Sequence, residues 1–134
     1  MIMTVAKTEL GNTPMTKSSV MIVDDEQLLA DMVSESLTGH GYTTVTFNNS
    51  DSAIRFFETE HEHVDLVILD MMLPNIGGKA TFEALRRIKP DVKVLISSGY
   101  FAGAETEELL AAGAVGFLQK PFKLSELVLR VAVL

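Results

Sequence analysis

The sequence predicts an α/β fold: a parallel sheet with helices on both faces. Three observations carry this. Val20-Met21-Ile22-Val23 and Leu66-Val67-Ile68-Leu69 are short unbroken apolar runs, the pattern of strands buried on both faces. Stretches with apolar residues at helical spacing separate one such run from the next. Both runs end in acids, and after Asp70 the Pro74-Asn75 and Gly77-Gly78 pairs mark a loop. Strands and helices that alternate in this way form a parallel sheet with right-handed crossovers.

The first strand, Val20 to Val23, runs into Asp24-Asp25-Glu26. Gln27 to Leu37 is an expected amphipathic helix with Leu29, Met32, Val33, Ser36 and Leu37 on one side, closed by Gly39-His40-Gly41. Tyr42 to Phe47 is a second strand, poorer in apolar residues and expected near an edge. Asn48-Asn49-Ser50-Asp51 offers several N-caps for a helix through Ala53, Ile54, Phe56 and Phe57. His61-Glu62-His63 closes that helix. Two histidines two apart can ligate a metal, but with no third ligand nearby a solvated turn is the simpler expectation. Leu66 to Leu69 is the central strand and ends at Asp70.

Lys79 to Ile88 is the next helix, with Phe82, Leu85 and Ile88 inward, and Lys89-Pro90-Asp91 ends it. Val92 to Ile96 is the fourth strand, followed by Ser97-Ser98-Gly99-Tyr100. Ala102 to Ala112 is a helix with Glu105, Glu107 and Glu108 outward, and Ala114 to Gln119 is the fifth strand. After Lys120-Pro121-Phe122 a last helix starts near Leu124 and buries Leu124, Leu127, Val128 and Val131, with Leu134 a further candidate. Leu129 and Val133 fall on its other side, as isolated surface residues or part of a partner surface.

Composition narrows the possible functions. The chain has 134 residues, 47% of them hydrophobic, which suits one globular domain with its own core. It has no cysteine, so disulfides, thiolate metal sites and cysteine nucleophiles are excluded, and a cytoplasmic setting fits. A net charge of −7 speaks against direct nucleic-acid binding. No apolar run approaches the ~20 residues of a membrane span, so no membrane insertion is expected. Residues 1–18 lack a clear period and contain Gly11-Asn12-Thr13-Pro14; they are expected to be a flexible leader, linker or tag ahead of a domain over 19–134.

The strand ends carry the chemistry. In a parallel sheet Asp24-Asp25, Asp70, Ser97-Ser98 and Lys120 all meet at the carboxyl edge, where ligands bind in open α/β sheets. Acids in the first turn of a helix favour its N-terminus, which accounts for Asp25 or Glu26 but not for an acid at the end of a second strand. Asp24, Asp25 and Asp70 together suit a hard divalent cation such as Mg²⁺ or Mn²⁺, bound through oxygen. Aspartate is also a nucleophile toward phosphoryl groups. A transferring phosphoryl group spreads charge over three oxygens. The cation, the ammonium of Lys120, and the Ser98 hydroxyl with backbone N–H groups supply one partner each.

These motifs resemble the receiver domains of two-component response regulators: Val-Asp-Asp-Glu at 23–26, Leu-Asp-Met-Met-Leu-Pro at 69–74, Ile-Ser-Ser-Gly-Tyr at 96–100 and Lys-Pro-Phe at 120–122. The resemblance covers residues 19–134 and implies a flavodoxin-like (βα)5 fold with strand order 2-1-3-4-5. It implies that Asp70 takes a phosphoryl group from a phosphohistidine on a histidine kinase or histidine phosphotransfer protein. Asp24, Asp25, Asp70 and the backbone carbonyl of Met72 match the metal site, and Lys120 matches the lysine that pairs with the phosphoryl group. The Lys120–Pro121 bond is expected to be cis. Ser98 and Phe117 match the switch pair, with Ser97 the residue before it; Phe117 is equally explained as a core residue. The switch is expected to alter a partner face made of the fourth helix, fifth strand and last helix. Met72 and Tyr100 match the positions that tune hydrolysis; both are bulky and neither positions a water, so a long-lived acyl phosphate is expected. A receiver-like module that works without phosphorylation is the alternative on the same fold. The wording of the Ser-Ser-Gly-Tyr and Lys-Pro-Phe segments is similar to receivers of hybrid histidine kinases.

Overall fold

The computed structural model describes residues 18–99 and 103–134. Apart from Ser18, the leader expected over 1–18 lies outside these residues, as do Tyr100 and the first residue assigned to the fourth helix, Ala102. Among these residues five strands alternate with five α-helices. They are β1 (Ser19–Val23), α1 (Gln27–Gly39), β2 (Thr43–Phe47), α2 (Ser50–Glu60), β3 (Leu66–Asp70), α3 (Gly77–Ile88), β4 (Val94–Ser98), α4 (Ala104–Ala111), β5 (Gly116–Gln119) and α5 (Leu124–Ala132). All strand pairs are parallel, in the order β2-β1-β3-β4-β5. This is the expected order, with β2 at an edge.

Side-chain alternation along the strands splits the core into two layers. Met21, Val23, Val67, Leu69, Val94 and Ile96 face one way, onto Ala53 and Phe57 of α2, Phe82 and Leu85 of α3 and Leu109 of α4. Val20, Ile22, Leu66, Ile68, Leu95 and Leu118 face the other way, onto Ala30, Val33 and Leu37 of α1 and Leu127 and Val131 of α5. β3 is buried along its whole length because it is central and covered on both sides. Each fully buried side chain of this kind contributes about 1.5–3 kcal/mol.

Several boundaries differ from those read in the sequence. β4 spans Val94–Ser98 rather than Val92–Ile96, because its register starts at Val67↔Val94 and closes at Asp70↔Ser97. Ser97 and Ser98 are therefore buried strand residues rather than loop residues. The inner face of α1 is Ala30, Val33 and Leu37; Met32 is 43% exposed, since α1 packs on one layer only and the buried face runs through Ala30, Val33 and Leu37. Helix α1 ends before Gly41, whose φ of 97° suits glycine, and the amides of Gly41 and Tyr42 bond back to the carbonyls of Thr38 and Leu37. Asn49 is the cap of α2, its side chain accepting from the Ser52 amide at 2.8 Å. His61–His63 is a single 3₁₀ turn, and the His61 ring nitrogen Nδ1 meets the Phe57 carbonyl at 3.1 Å. Helix α3 starts two residues early, at Gly77, because the Gly78 amide bonds the Met71 carbonyl and draws the chain into the helix.

Candidate functional site

The carboxyl edge of the sheet brings together side chains from three strand ends. Asp70 ends β3 and is 2% exposed; Asp24 follows β1 and is buried; Lys120 follows β5. The Lys120 ammonium lies 2.8 Å from Asp24 Oδ2, 2.8 Å from Glu26 Oε1 and 3.4 Å from Asp70 Oδ2. Carboxylate oxygens of Asp24, Asp25 and Asp70 fall within 4.8 Å of one another. Among the described residues this is the one cluster of three or more acidic or histidine side chains that close; His61 and His63 belong to none. Backbone bonds fix the two buried acids: Glu26 N donates to Asp24 Oδ1 at 2.9 Å and Met72 N to Asp70 Oδ1 at 3.0 Å.

The acids do not cap α1 in the way the sequence suggests. Glu26 is the N-cap residue, but its side chain makes no capping bond and pairs with Lys120 instead.

Burial is the largest influence on Asp70 and raises its pKa. The Met72 amide lowers it, the Asp24 charge raises it and Lys120 lowers it, with a net rise from 3.8 to about 6. Asp70 is therefore mostly ionised at neutral pH. Burial works to lower the Lys120 pKa, but bonds to Asp24 and Glu26 and the charges of Asp70 and Asp24 outweigh it and hold the ammonium above the usual lysine range.

Ser98 and Phe117 sit one strand apart. Phe117 pairs in register with Ile96, and Ser98 with Gln119, and the Lys120 amide donates to the Ser98 carbonyl at 2.7 Å. Phe117 is half-buried against the α2–α4 layer that also holds Ile96. Alternation places Ser98 on the side of Ile96, and so on the side of Phe117, whereas Ser97 stands beside Asp70. Arg130 of α5 donates to the Phe117 carbonyl at 3.0 Å, a link the sequence did not announce. The Lys120–Pro121 peptide is cis. Met72 is 52% exposed next to Asp70.

A family model described as the response regulator receiver domain matches residues 20–132. The chain belongs to this family. Among curated relatives of this receiver domain is the probable transcriptional regulatory protein TcrX of Mycobacterium tuberculosis. It is 35% identical over 116 residues, which is 87% of this chain and 49% of TcrX. The sensor kinase CckA of Brucella abortus is 32% identical over 110 residues, 82% of this chain and 12% of CckA. The chain thus spans about half or less of the length of these relatives. Among solved structures, a CheY-like receiver domain protein from Methanospirillum hungatei superposes with a TM-score of 0.81. It covers 87% of this chain and 91% of that one at 23% identity, a likeness of fold.

The donor set of the receiver's acidic cluster is oxygen only, with two of its three carboxylates buried, and it fits a hard divalent cation. Two contributors to the site were not legible in the sequence. Glu26 meets a lysine 94 positions away, and no local pattern announces such a pair. Gly78 lies so close to the strand end that an added Cβ would be 2.5 Å from Met71 Cα; the glycine pair after the loop was the only signal.

Proposed function

We propose that this receiver domain takes a phosphoryl group onto Asp70 from a phosphohistidine of a histidine kinase or histidine phosphotransfer protein, with Mg²⁺ or Mn²⁺ as cofactor. The observation that carries the reading is a buried carboxylate at the sheet edge with both an ammonium and an acidic cluster beside it. Asp24, Asp25, Asp70 and the Met72 carbonyl would hold the cation, which supplies charge neutralisation for the phosphoryl oxygens.

The ionised Asp70 carboxylate attacks phosphorus, an O–P bond forms and the P–N bond of the phosphohistidine breaks. The bonding pair leaves with the imidazole nitrogen. Asp70 needs no general base, since it is mostly ionised at neutral pH. Lys120 pairs with one phosphoryl oxygen, and the Ser98 hydroxyl serves another. The transfer adds about −1.5 to −2 charges and new acceptors. Ser98 moving toward them leaves room for Phe117 to turn inward, a shift between states that already exist. Phe117 lacks a hydroxyl, so the change is one of rotation and burial.

The readout surface is α4, β5 and α5, where Leu129 is 71% exposed, with Val115 before β5 38% and Val133 after α5 80% exposed. A downstream protein is the expected partner there. No described helix is long and apolar enough to cross a membrane. On this reading residues 19–134 act as the receiver unit in the cytoplasm and 1–18 lead into it.

Intact mass after incubation with Mg²⁺ and acetyl phosphate tests the chemistry. Wild type is expected to gain one phosphoryl group, and Asp70→Asn or omission of the metal to abolish the gain. The label is expected to decay slowly, because neither Met72 nor Tyr100 is an acid or an amide able to position a water. No gain in wild type would favour a phosphorylation-independent module, and decay within seconds would refute the role of Met72 and Tyr100.

A further inference from the structure

Lys120 has more carboxylate partners than its proposed task needs. It sits at 2.8 Å from Glu26 as well as from Asp24, and is farther, at 3.4 Å, from Asp70. Glu26 differs from the other partners. It is the N-cap of α1, its side chain is 63% exposed, and it lies outside the cluster of Asp24, Asp25 and Asp70. Neither metal binding nor helix capping uses its carboxylate.

Alternation along β5 points Lys120 to the same side as Leu118, the α1–α5 layer, and the first turn of α1 flanks that side. Glu26, Leu29, Lys120 and Phe122 line one shallow depression there. Glu26 thus reaches the ammonium from the N-terminus of α1, while Asp70 reaches it from the end of β3. A phosphoryl group arriving at Asp70 must compete with Glu26 for the same ammonium.

We infer that Glu26 is a positioning residue that holds Lys120 in a resting place and so restrains phosphorylation of Asp70. This rests on the phosphoacceptor reading above. The restraint is modest, because one partner of the ion pair lies largely in solvent; such pairs shift populations by about twofold to fivefold. Two effects of the Glu26 charge must be separated: the hold on Lys120 and plain repulsion of an anionic phosphoryl donor. Glu26→Gln removes both. Glu26→Asp keeps the charge but is one methylene too short to keep the 2.8 Å contact.

The test has two readouts on the full chain. The first is metal-free trace labelling of lysines with an amine-acylating reagent, read by mass spectrometry. Both variants are expected to raise Lys120 labelling about twofold to fivefold over wild type, with other lysines unchanged. The second is the rate of phosphoryl gain from acetyl phosphate with Mg²⁺, expected to rise by a similar factor in both variants. Unchanged Lys120 labelling in both variants overturns the inference. So does a rate gain in Glu26→Gln alone, which is donor repulsion, or raised labelling with no rate gain in either. A wild type that labels normally on lysine but takes up no phosphoryl group overturns the phosphoacceptor reading, and the restraint falls with it.

Discussion

Asp70 is an acid kept in an apolar strand end, and burial sets its cost. Its pKa of about 6 in the folded chain lies above the ordinary 3.8. Between those values the folded protein keeps a proton that the unfolded chain has released. The stabilising contribution of the protonated carboxyl is therefore complete below about pH 4 and lost as pH rises through about 6. At neutral pH the ionised side chain is a net burden on the metal-free fold. Asn at this position has the shape of the neutral acid without the titration. Asp70→Asn is thus expected to be more stable than wild type at pH 7 in the presence of a chelator, by on the order of 1–3 kcal/mol. The gap should close as pH falls from 6 to 4. Urea unfolding across that range measures it, and a variant less stable than wild type at pH 7 would contradict the account. The sequence placed Asp70, Asp24 and Lys120 at one edge because each follows a strand. It was silent on how far burial moves Asp70, since that depends on the helices and strands packed around the site.

At the scale of elements, the junction between β3 and α3 controls where Asp70 points. Gly78 packs on the backbone of Asp70 and Met71: an added Cβ would meet Met71 Cα at 2.5 Å, Met71 O at 2.9 Å and Asp70 O at 3.0 Å. These are main-chain atoms of a buried strand end, so they cannot move aside as a flexible side chain does. Gly78→Ala is expected to cost about 1–3 kcal/mol, typical of overpacking. It should also slow phosphoryl gain at Asp70, because the strand end must shift to relieve the clash. Thermal unfolding and the acetyl phosphate assay read the two effects; a variant matching wild type in both would show that the close approach is not needed. Element types were legible because apolar runs and helical spacing report burial directly. Boundaries such as that of β4 were not. Val92 is as apolar as Val94, and only pairing with Val67 decides which of them opens the strand. The inner face of α1 departs from its apolar spacing for a related reason: Met32 has the right spacing yet is exposed, whereas Ala30 is buried, and only the packing of the helix on the sheet decides which residue turns inward.

Across the whole molecule, the charge of −7 is unevenly placed. Asp24, Asp25, Glu26 and Asp70 crowd one edge of the sheet, and Lys120 is the cation paired with three of them. Two of these acids are buried, so their mutual repulsion is poorly screened by salt. A divalent cation bound there relieves it only when the chain is folded, because unfolding separates carboxylates that lie 45 or more positions apart in sequence, such as Asp25 and Asp70. Binding to the folded state alone stabilises by mass action, about 2.7 kcal/mol at a hundredfold excess over Kd. Mg²⁺ at that excess is therefore expected to raise the Tm of the metal-free protein by on the order of 10 °C. NaCl of equal ionic strength should do far less. Asp25→Asn should blunt the response, since it removes the exposed member of the cluster while leaving the buried pair and Lys120 in place. A Tm that rises equally with Mg²⁺ and with matched NaCl, or a response unchanged in Asp25→Asn, would mean that the cluster is not a cation site and that Lys120 alone balances the edge.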